Sequence, residues 1–452
     1  MSEPYPKPFV DFLKGEPTPE RWTAISWPLE PSVVVAGAGS GKTSVMAARV
    51  IYLAMVATGA WPAEHEGVMP GNVFCLTFTN KATENLILKM RRALRTLDLD
   101  EGEEPEISNY HAFAAQVLER HGMLIGLEPG QRVLSQAQRA QIAARVLDRM
   151  TFETLHTRWQ PAIVGYILGL DEQLQNHLVE PETVVEHVEG KLDALRKARS
   201  AEPLLAAEER VEIARAVRVF RDIKAELGVI DFGDQIAHAV RIASEFPDVG
   251  RAYRDRFGAV LLDEYQDTNH AQAVLMRAVF GAGHPVTAVG DPDQNIYAWR
   301  GASLWNLLHF RKEFPLSDGS ESAQLPLYTN FRSGARILQA ADKVIDALPA
   351  NQRPDPDKLL RPWERNGDGR VEVARYEHEV AEAEGVAERA HALHANGVAW
   401  RDMAVLCRTH RLFEALQLAF GAMEVPAEFV NLAGLIHLPE IVEVLAYARA
   451  TE

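Results

Sequence analysis

The stretch Val33-Val34-Val35-Ala36-Gly37-Ala38-Gly39-Ser40-Gly41-Lys42-Thr43 runs from three β-branched residues through a glycine-rich loop into Ser44-Val45-Met46-Ala47-Ala48-Arg49-Val50, a helix-compatible segment. The order predicts strand, loop, helix. Gly37, Gly39 and Gly41 let successive N–H groups of the loop converge on one spot, Lys42 adds a mobile positive charge, and the Thr43 hydroxyl suits the magnesium that accompanies a nucleoside triphosphate. Residues 36–43 therefore read as a phosphate cradle. The usual pattern begins with Gly, and Ala36 fits only if the backbone there needs no positive φ. A plain turn before a helix is the competing reading, and Gly-Lys-Thr at this spacing argues against it.

A chain of 452 residues exceeds one compact core and predicts several domains. Its two cysteines, Cys75 and Cys407, sit far apart in apolar runs, as small buried hydrophobes do, so neither a disulfide nor a metal site is expected and a reducing, cytoplasmic setting fits. No leader segment and no apolar run long enough to span a bilayer is present in the sequence, which predicts no membrane association. The net charge of −16 argues against a protein that coats nucleic acid, while leaving room for a local basic channel. Part of the acidic excess lies in Asp98–Glu106, read as a solvated loop.

Taken in order, Thr18 to Ile25 predicts a short capped helix ahead of the first strand. Val73–Phe78 is a second apolar strand, followed by Thr79-Asn80-Lys81-Ala82 and a helix ending near Arg92, and a third unit is expected through Ile107–Phe113. Strands that are apolar throughout predict a parallel sheet covered on both faces. From about Ala114 to Glu226 the pattern turns helical; Arg215, Arg218, Arg221 and Lys224 recur there at i, i+3, as a solvated face or, less readily, a stripe against phosphates. Sheet texture returns at Ala259–Leu262, which runs into Asp263-Glu264. An apolar strand ending in two acids suits the second half of the phosphate-loop machine, the first acid holding magnesium and the second polarising the attacking water. A helix-terminal acid pair is the alternative. Because Lys42 and Asp263 must share one site, the helical segment is expected to loop out of a single domain. Pro285–Val289 is a fourth strand. It delivers Gly290 to Ala302, which mixes an amide, Gln294, with Tyr297, Trp299 and Arg300, side chains that stack bases and hold backbone. Taken alone, Tyr297 and Trp299 fit core packing equally well.

The strings AGAGSGKT (36–43), TFTNKA (77–82), LLDEYQDT (261–268), VGDPDQNIYAWRGA (289–302) and TNFRS (329–333) together resemble the successive motifs of the UvrD/Rep/PcrA superfamily 1 DNA helicases, in their order and spacing. Within that family, residues 28–43, 262–272 and 283–294 look most like the AdnA/AdnB-type motor subunits of helicase–nucleases. The resemblance implies an α/β fold: a RecA-like phosphate-loop domain with a parallel sheet (1–113 and 227–327), a helical insertion (114–226), an incomplete second RecA-like domain (328–430) and the start of a second inserted domain (431–452). Strand candidates Gly369–Tyr376 and Met403–Cys407 would open the second RecA-like domain after a Pro-rich connector at Asn351–Pro356.

It further implies ATP and Mg2+ as cofactors and single-stranded and duplex DNA as partners, with a partner helicase–nuclease subunit as a further expectation. Residues Ala36 through Thr43 would hold phosphate. Lys42 and Thr43 would contact phosphate and magnesium, Asp263 the metal, and Glu264 the water. Gln294 would couple the γ-phosphate to DNA, Arg332 would touch the γ-phosphate, and Phe331 would stack on adenine where many relatives have Tyr. Phe78, Thr79, Asn80, His111, Tyr297, Trp299 and Arg300 would face single-stranded DNA. Arg21 stands where the family usually has a Gln that reads adenine; Arg has no acceptor for the exocyclic amine, which puts strict ATP preference in question. The function implied is an ATP-dependent DNA translocase or helicase of repair or recombination, with DNA-stimulated ATP hydrolysis and later motifs expected beyond residue 452. The alternative is a nucleotide- and DNA-binding regulatory subunit with weak turnover in a larger helicase–nuclease complex.

Overall fold

The computed structural model describes residues 5–95, 97, 104–157, 159–197, 201–281, 283–349, 355 and 358–430. The acidic stretch at 98–103, most of the Pro-rich connector and the expected start of a second inserted domain at 431–452 lie outside the described residues. The chain divides at Arg370 into two compact units.

The first unit is built on six parallel strands in the order β3-β2-β6-β7-β1-β8: β1 Ser32–Ala36, β2 Val73–Thr77, β3 Glu106–Asn109, β6 Ala259–Leu262, β7 Val286–Gly290 and β8 Ala323–Leu327. Two short strands, β4 Arg132–Val133 and β5 Val229–Ile230, pair separately, as do β9 Thr329–Asn330 and β10 Arg361–Pro362. Alternate residues of the central strands enter opposite cores. Val33, Val35, Phe74, Leu76, Val260, Leu262, Val286 and Ala288 pack on one face with the helices Tyr110–His121, Phe232–Glu245 and His270–Phe280. Val34, Ala36, Val73, Cys75, Ala259, Leu261 and Val289 pack on the other with Lys42–Ala57. Both faces are dry, which is why these strands carry no polar alternation.

The third unit differs from expectation past Asn109. The Asn109 side chain accepts from the Ala112 N–H, so Tyr110 to His121 is helix, and Phe113, Ala114, Val117 and Leu118 belong to the sheet's own core. β8 was not legible as a strand because it contains Pro326. It lies at the sheet edge, where Leu327 O accepts from Gly37 N, so the neighbouring Pro326 nitrogen faces outward and its missing donor breaks no ladder bond. Cys75 is fully buried, and burial pushes its thiol up; Cys407 is partly buried, and both are free.

Residues 134–223 gather a separate core from Leu134, Ile142, Ile167, Leu174, Val217, Phe220 and Ile223. β4 enters this helical segment and β5 leaves it, and their parallel pairing ties its two ends together. The cationic stripe is neither solvated throughout nor free for phosphate. Arg215 pairs with Glu189, and Arg218 with Glu182 and Asp222, at the surface. Arg221 instead reaches Asp171 at 2.8 Å, and Lys224, almost wholly buried, reaches Asp231 at 2.8 Å and Asp234 at 2.7 Å. Arg139 closes the box on Asp231 at 3.1 Å. Burial works against an ionised Asp231, yet Lys224 and Arg139 hold its carboxyl well below the usual range.

In the second unit, the helices Glu379–Ala395 and Phe413–Ala422 bury Ala383, Ala387, Leu416, Ala419 and Phe420 against each other. The strand candidates at 369–376 and 403–407 form no ladder with any described residue, and Val373 and Leu406 are exposed. β-Branched composition yields a strand only where a partner strand supplies the hydrogen bonds. Among the described residues no helix is long and apolar enough to cross a membrane.

The ion-pair box sets an expectation. Lys224→Met leaves buried carboxylates uncompensated and should cost about 3–5 kcal/mol of unfolding free energy, whereas Arg215→Met at the exposed pair should cost about 1 kcal/mol or less. Urea denaturation of both variants decides it; equal small losses would show that the box contributes no more than a surface pair.

Candidate nucleotide and nucleic-acid site

Every strand of a parallel sheet delivers its following loop to the same edge, and the candidate residues converge there. β1 ends in the phosphate loop. Gly39 (φ 71°) and Gly41 (φ 84°) take left-handed conformations, so the loop bends back and Gly41 caps the helix Lys42–Ala57. Ala36 is an ordinary strand residue, fully buried, which explains why a side chain is tolerated there. Three elements lie close over the loop. An added Cβ would meet Leu360 Cδ2 at 2.0 Å from Gly37, the Asn330 amide at 2.7 Å from Gly39, and Arg21 Nη2 at 2.3 Å from Gly41.

β6 supplies the acids. Asp263 is almost fully buried, and its Oδ1 accepts from the Glu264 N–H at 3.0 Å. Glu264 holds a left-handed backbone (φ 49°), a strained state for a residue with a side chain and one that turns its carboxylate toward the loop. There Lys42 Nζ stands 2.8 Å from Glu264 Oε2. Burial first, then the neighbouring Glu264 charge, pushes the Asp263 carboxyl up to about 7, against the pull of Lys42; Asp267 is raised to about 7 for the same reasons. A nearby positive charge relieves carboxyls raised in this way. Ser40 Oγ and Asp267 Oδ1 are buried without hydrogen-bond partners, and the loop amides, Thr43 and Asp263 are hard oxygen and N–H groups, a donor set that fits a magnesium–triphosphate.

β7 supplies the third loop. Gln266, not singled out in the sequence, joins it to the acids: its Nε2 donates to Glu264 Oε2 at 2.9 Å and its Oε1 accepts from Asp291 N at 3.0 Å. Asp291 in turn accepts from the Gln294 amide, and Asn295 Nδ2 donates to Gln266 O at 2.6 Å. A continuous path of polar contacts thus runs from Lys42 to Gln294.

On the opposite side of the loop, Phe331 N donates to Gly39 O at 2.9 Å, and the Asn330 amide donates to Ala38 O while its Oδ1 accepts from Arg332 N and Ser333 N at 2.8 and 2.7 Å. Asn330, also missed in the sequence, is what places Arg332 beside the loop. Arg21 donates through Nη2 to Ser40 O at 2.9 Å, and its guanidinium carbon lies 3.5 Å from the centre of the Phe331 ring. Burial lowers its pKa to about 10.

The ends of β2 and β3 carry the other set. Phe78 packs against Tyr297 (5.3 Å between ring centres) and Tyr297 against Trp299 (6.4 Å), with Arg300 over both rings. Trp299 is 74% exposed, so it is no part of the core. Thr79 caps the helix Asn80–Leu94, and Asn80 Oδ1 accepts from Asn109 Nδ2 at 2.6 Å. His111 meets Phe232 edge to face at 5.6 Å, and burial lowers its pKa. Phe232 is itself 54% exposed; in the sequence the run Val229-Ile230-Asp231-Phe232 hides it as one more apolar residue. Helix Gln160–His177 of the helical segment 134–223 reaches this set through Asn176 Nδ2, 3.3 Å from Arg300 O, so the aromatic array is braced from the helical core.

A family model described as the UvrD/REP helicase N-terminal domain matches residues 17–315, and one described as the UvrD-like helicase C-terminal domain matches residues 325–452. Among curated proteins, the chain is 30% identical to "ATP-dependent DNA helicase UvrD1" of Mycobacterium leprae over 98% of its own length and 53% of the relative's. It is 31% identical to the UvrD1 of Mycobacterium bovis over 99% and 54%, and 29% identical to "ATP-dependent DNA helicase PcrA" of Staphylococcus aureus over 95% and 53%. The chain spans about half the length of the curated relatives it matches. With a sheet that gathers the phosphate loop, the acid pair and the Gln294 loop at one edge, and with two thirds of its residues under one family model, the chain belongs to the UvrD/REP helicase family.

Proposed function

We propose that this chain is an ATP-driven motor that translocates on single-stranded DNA and serves duplex separation in DNA repair or recombination. The observation that carries the reading is the unbroken contact path from Lys42 through Glu264, Gln266 and Asp291 to Gln294, three residues before the Tyr297–Trp299–Arg300 array. Nucleotide state and base stacking share one loop. The named activity of the relatives, ATP-dependent DNA helicase, agrees with it. In this reading residues 1–113 and 227–327 are one RecA-like domain interrupted by an insertion at 114–226, and residues from 328 belong to a second. The likeness to AdnA/AdnB-type subunits extends the reading to a motor that works beside a nuclease-bearing partner.

In this reading each residue has a task. Lys42 cannot neutralise Glu264 and a triphosphate at once, so an incoming γ-phosphate draws the ammonium away and frees Glu264 to accept a proton from the attacking water. Thr43 and Asp263 would hold magnesium, which supplies charge neutralisation on the phosphates. Arg332, placed by Asn330, meets charge that develops during transfer. Gln294 registers the γ-phosphate and passes the change along its own loop to Tyr297 and Trp299, on which bases stack. Arg21 over Phe331 offers only donors to a base, so the reading includes a weak preference among purine nucleotides.

Three outcomes test this. Lys42→Ala should abolish DNA-stimulated ATP hydrolysis while single-stranded DNA affinity stays within about twofold, since the two grips use different side chains; equal loss of both in a folded variant would refute it. Glu264→Gln should retain nucleotide binding and slow hydrolysis by roughly two orders of magnitude or more. Trp299→Ala should weaken binding of an oligothymidine by about 1–3 kcal/mol with Tm unchanged, because the indole is already in solvent; a falling Tm with intact affinity would contradict the stacking role.

A metal-free measurement adds a pH signature. Asp263 is protonated more readily folded than unfolded, so its burial costs stability as pH rises from about 4 to about 7, and Asp263→Asn should raise Tm at pH 8 but not at pH 4. A pH-independent effect would mean that Asp263 ionises without cost.

A further inference from the structure

Lys358 lies outside every motif, yet it is among the most deeply buried lysines of the chain, with 3% of its side chain exposed. Its Nζ pairs with Asp291 Oδ1 and, at 2.6 Å, with Asp293 Oδ2. Asp291 is 1% exposed and gives its other oxygen to the Gln294 amide. The residues that follow Lys358 close over the other side of the phosphate loop. Leu360 covers Gly37, β10 pairs with β9, Trp363 N donates to Asn330 O at 2.9 Å, and Asn366 Nδ2 donates to Asn330 O at 2.8 Å and Ser333 O at 3.0 Å. Asn330 is the residue that sets Arg332. One short stretch, 358–366, therefore touches the support of Gln294 at one end and the support of Arg332 at the other.

We propose that Lys358 is a positioning residue for γ-phosphate recognition: by neutralising Asp291 it keeps that carboxylate available to orient the Gln294 amide, and through residues 360–366 it fixes the spacing of Gln294 from Arg332. The physical reason is that a buried carboxylate orients a donor strongly only while its charge is compensated. Without Lys358, the buried Asp291 carboxylate is left uncompensated, and the amide of Gln294 loses a single defined acceptor geometry. Asp293, one-fifth exposed, takes the second bond and sets the direction of the ammonium.

The inference rests on the motor reading for the identity of the ligand, but its test needs no turnover. On the 452-residue chain, affinities for ATPγS and ADP are measured by competition with a fluorescent nucleotide in wild type, Lys358→Met, Lys358→Arg, Gln294→Ala and the Lys358→Met/Gln294→Ala double variant. Wild type should favour the triphosphate analogue by about tenfold, and Lys358→Met should reduce the ratio to about twofold, as Gln294→Ala does, with ADP affinity unchanged. The double variant should fall no further, since the two side chains act in series, and Lys358→Arg should restore most of the ratio. If Lys358→Met does not fold, Lys358→Met/Asp293→Asn removes one charge of each sign, and the same loss of ratio is expected from it. A wild-type ratio in Lys358→Met, or additive losses in the double variant, overturns the assignment, as does a wild-type chain with no triphosphate preference. A chain that discriminates the triphosphate but fails to hydrolyse ATP with single-stranded DNA removes the motor reading and leaves the role of Lys358 standing.

Discussion

The ion pair between Lys42 and Glu264 exists because the sheet sets β6 two strands from β1, with β7 between them. No local rule brings these residues together. Parallel pairing forces each connection over a face of the sheet, so the loops after β1, β6 and β7 all open at one edge. Once they do, a largely shielded lysine, a strained glutamate and a carboxyl pushed up to about 7 by burial share one site. That is an unsettled electrostatic arrangement, and its charges suit a polyanion.

What could be read in the sequence was whatever chemistry is written in consecutive residues. Gly39 and Gly41 signal the bend, the apolar strands signal two buried faces, and Asp263-Glu264 signals its own position by ending one of them. What stayed hidden depends on the approach of distant segments. Gln266, Asn330 and Lys358 are ordinary polar residues until Asp291, Ala38 and Asp293 arrive beside them. The stripe Arg215 to Lys224 shows the same limit: spacing tells which residues share a helix face but not what covers it, and Asp171, Asp231 and Asp234 come from other segments. Tyr110 to Phe113 looked like strand because its aromatics are apolar, while the cap from Asn109 decides for helix. The candidates at 369–376 and 403–407 show the converse, a strand-like composition without a partner.

The helical segment 134–223, with a core of its own, is tied to the sheet by specific contacts. β4 and β5 clamp its entry to its exit, the Lys224 box ties its longest helix to the first turn of Phe232–Glu245, and Asn176 touches the loop that carries Arg300. The Asn176 contact to Arg300 O thus links the aromatic array to this helical core.

Pro326 has a consequence outside the chemistry. β8 is the open margin of the sheet, the kind of edge that templates unwanted strand addition between molecules. Its outward row of donors is interrupted at Pro326, which has none, and Glu20 Oε2 accepts from Tyr328 N and Thr329 N at 3.0 and 3.1 Å just beyond. The margin is thereby blunted by one imino acid and one carboxylate. A neighbouring copy of the chain finds little there to zip onto.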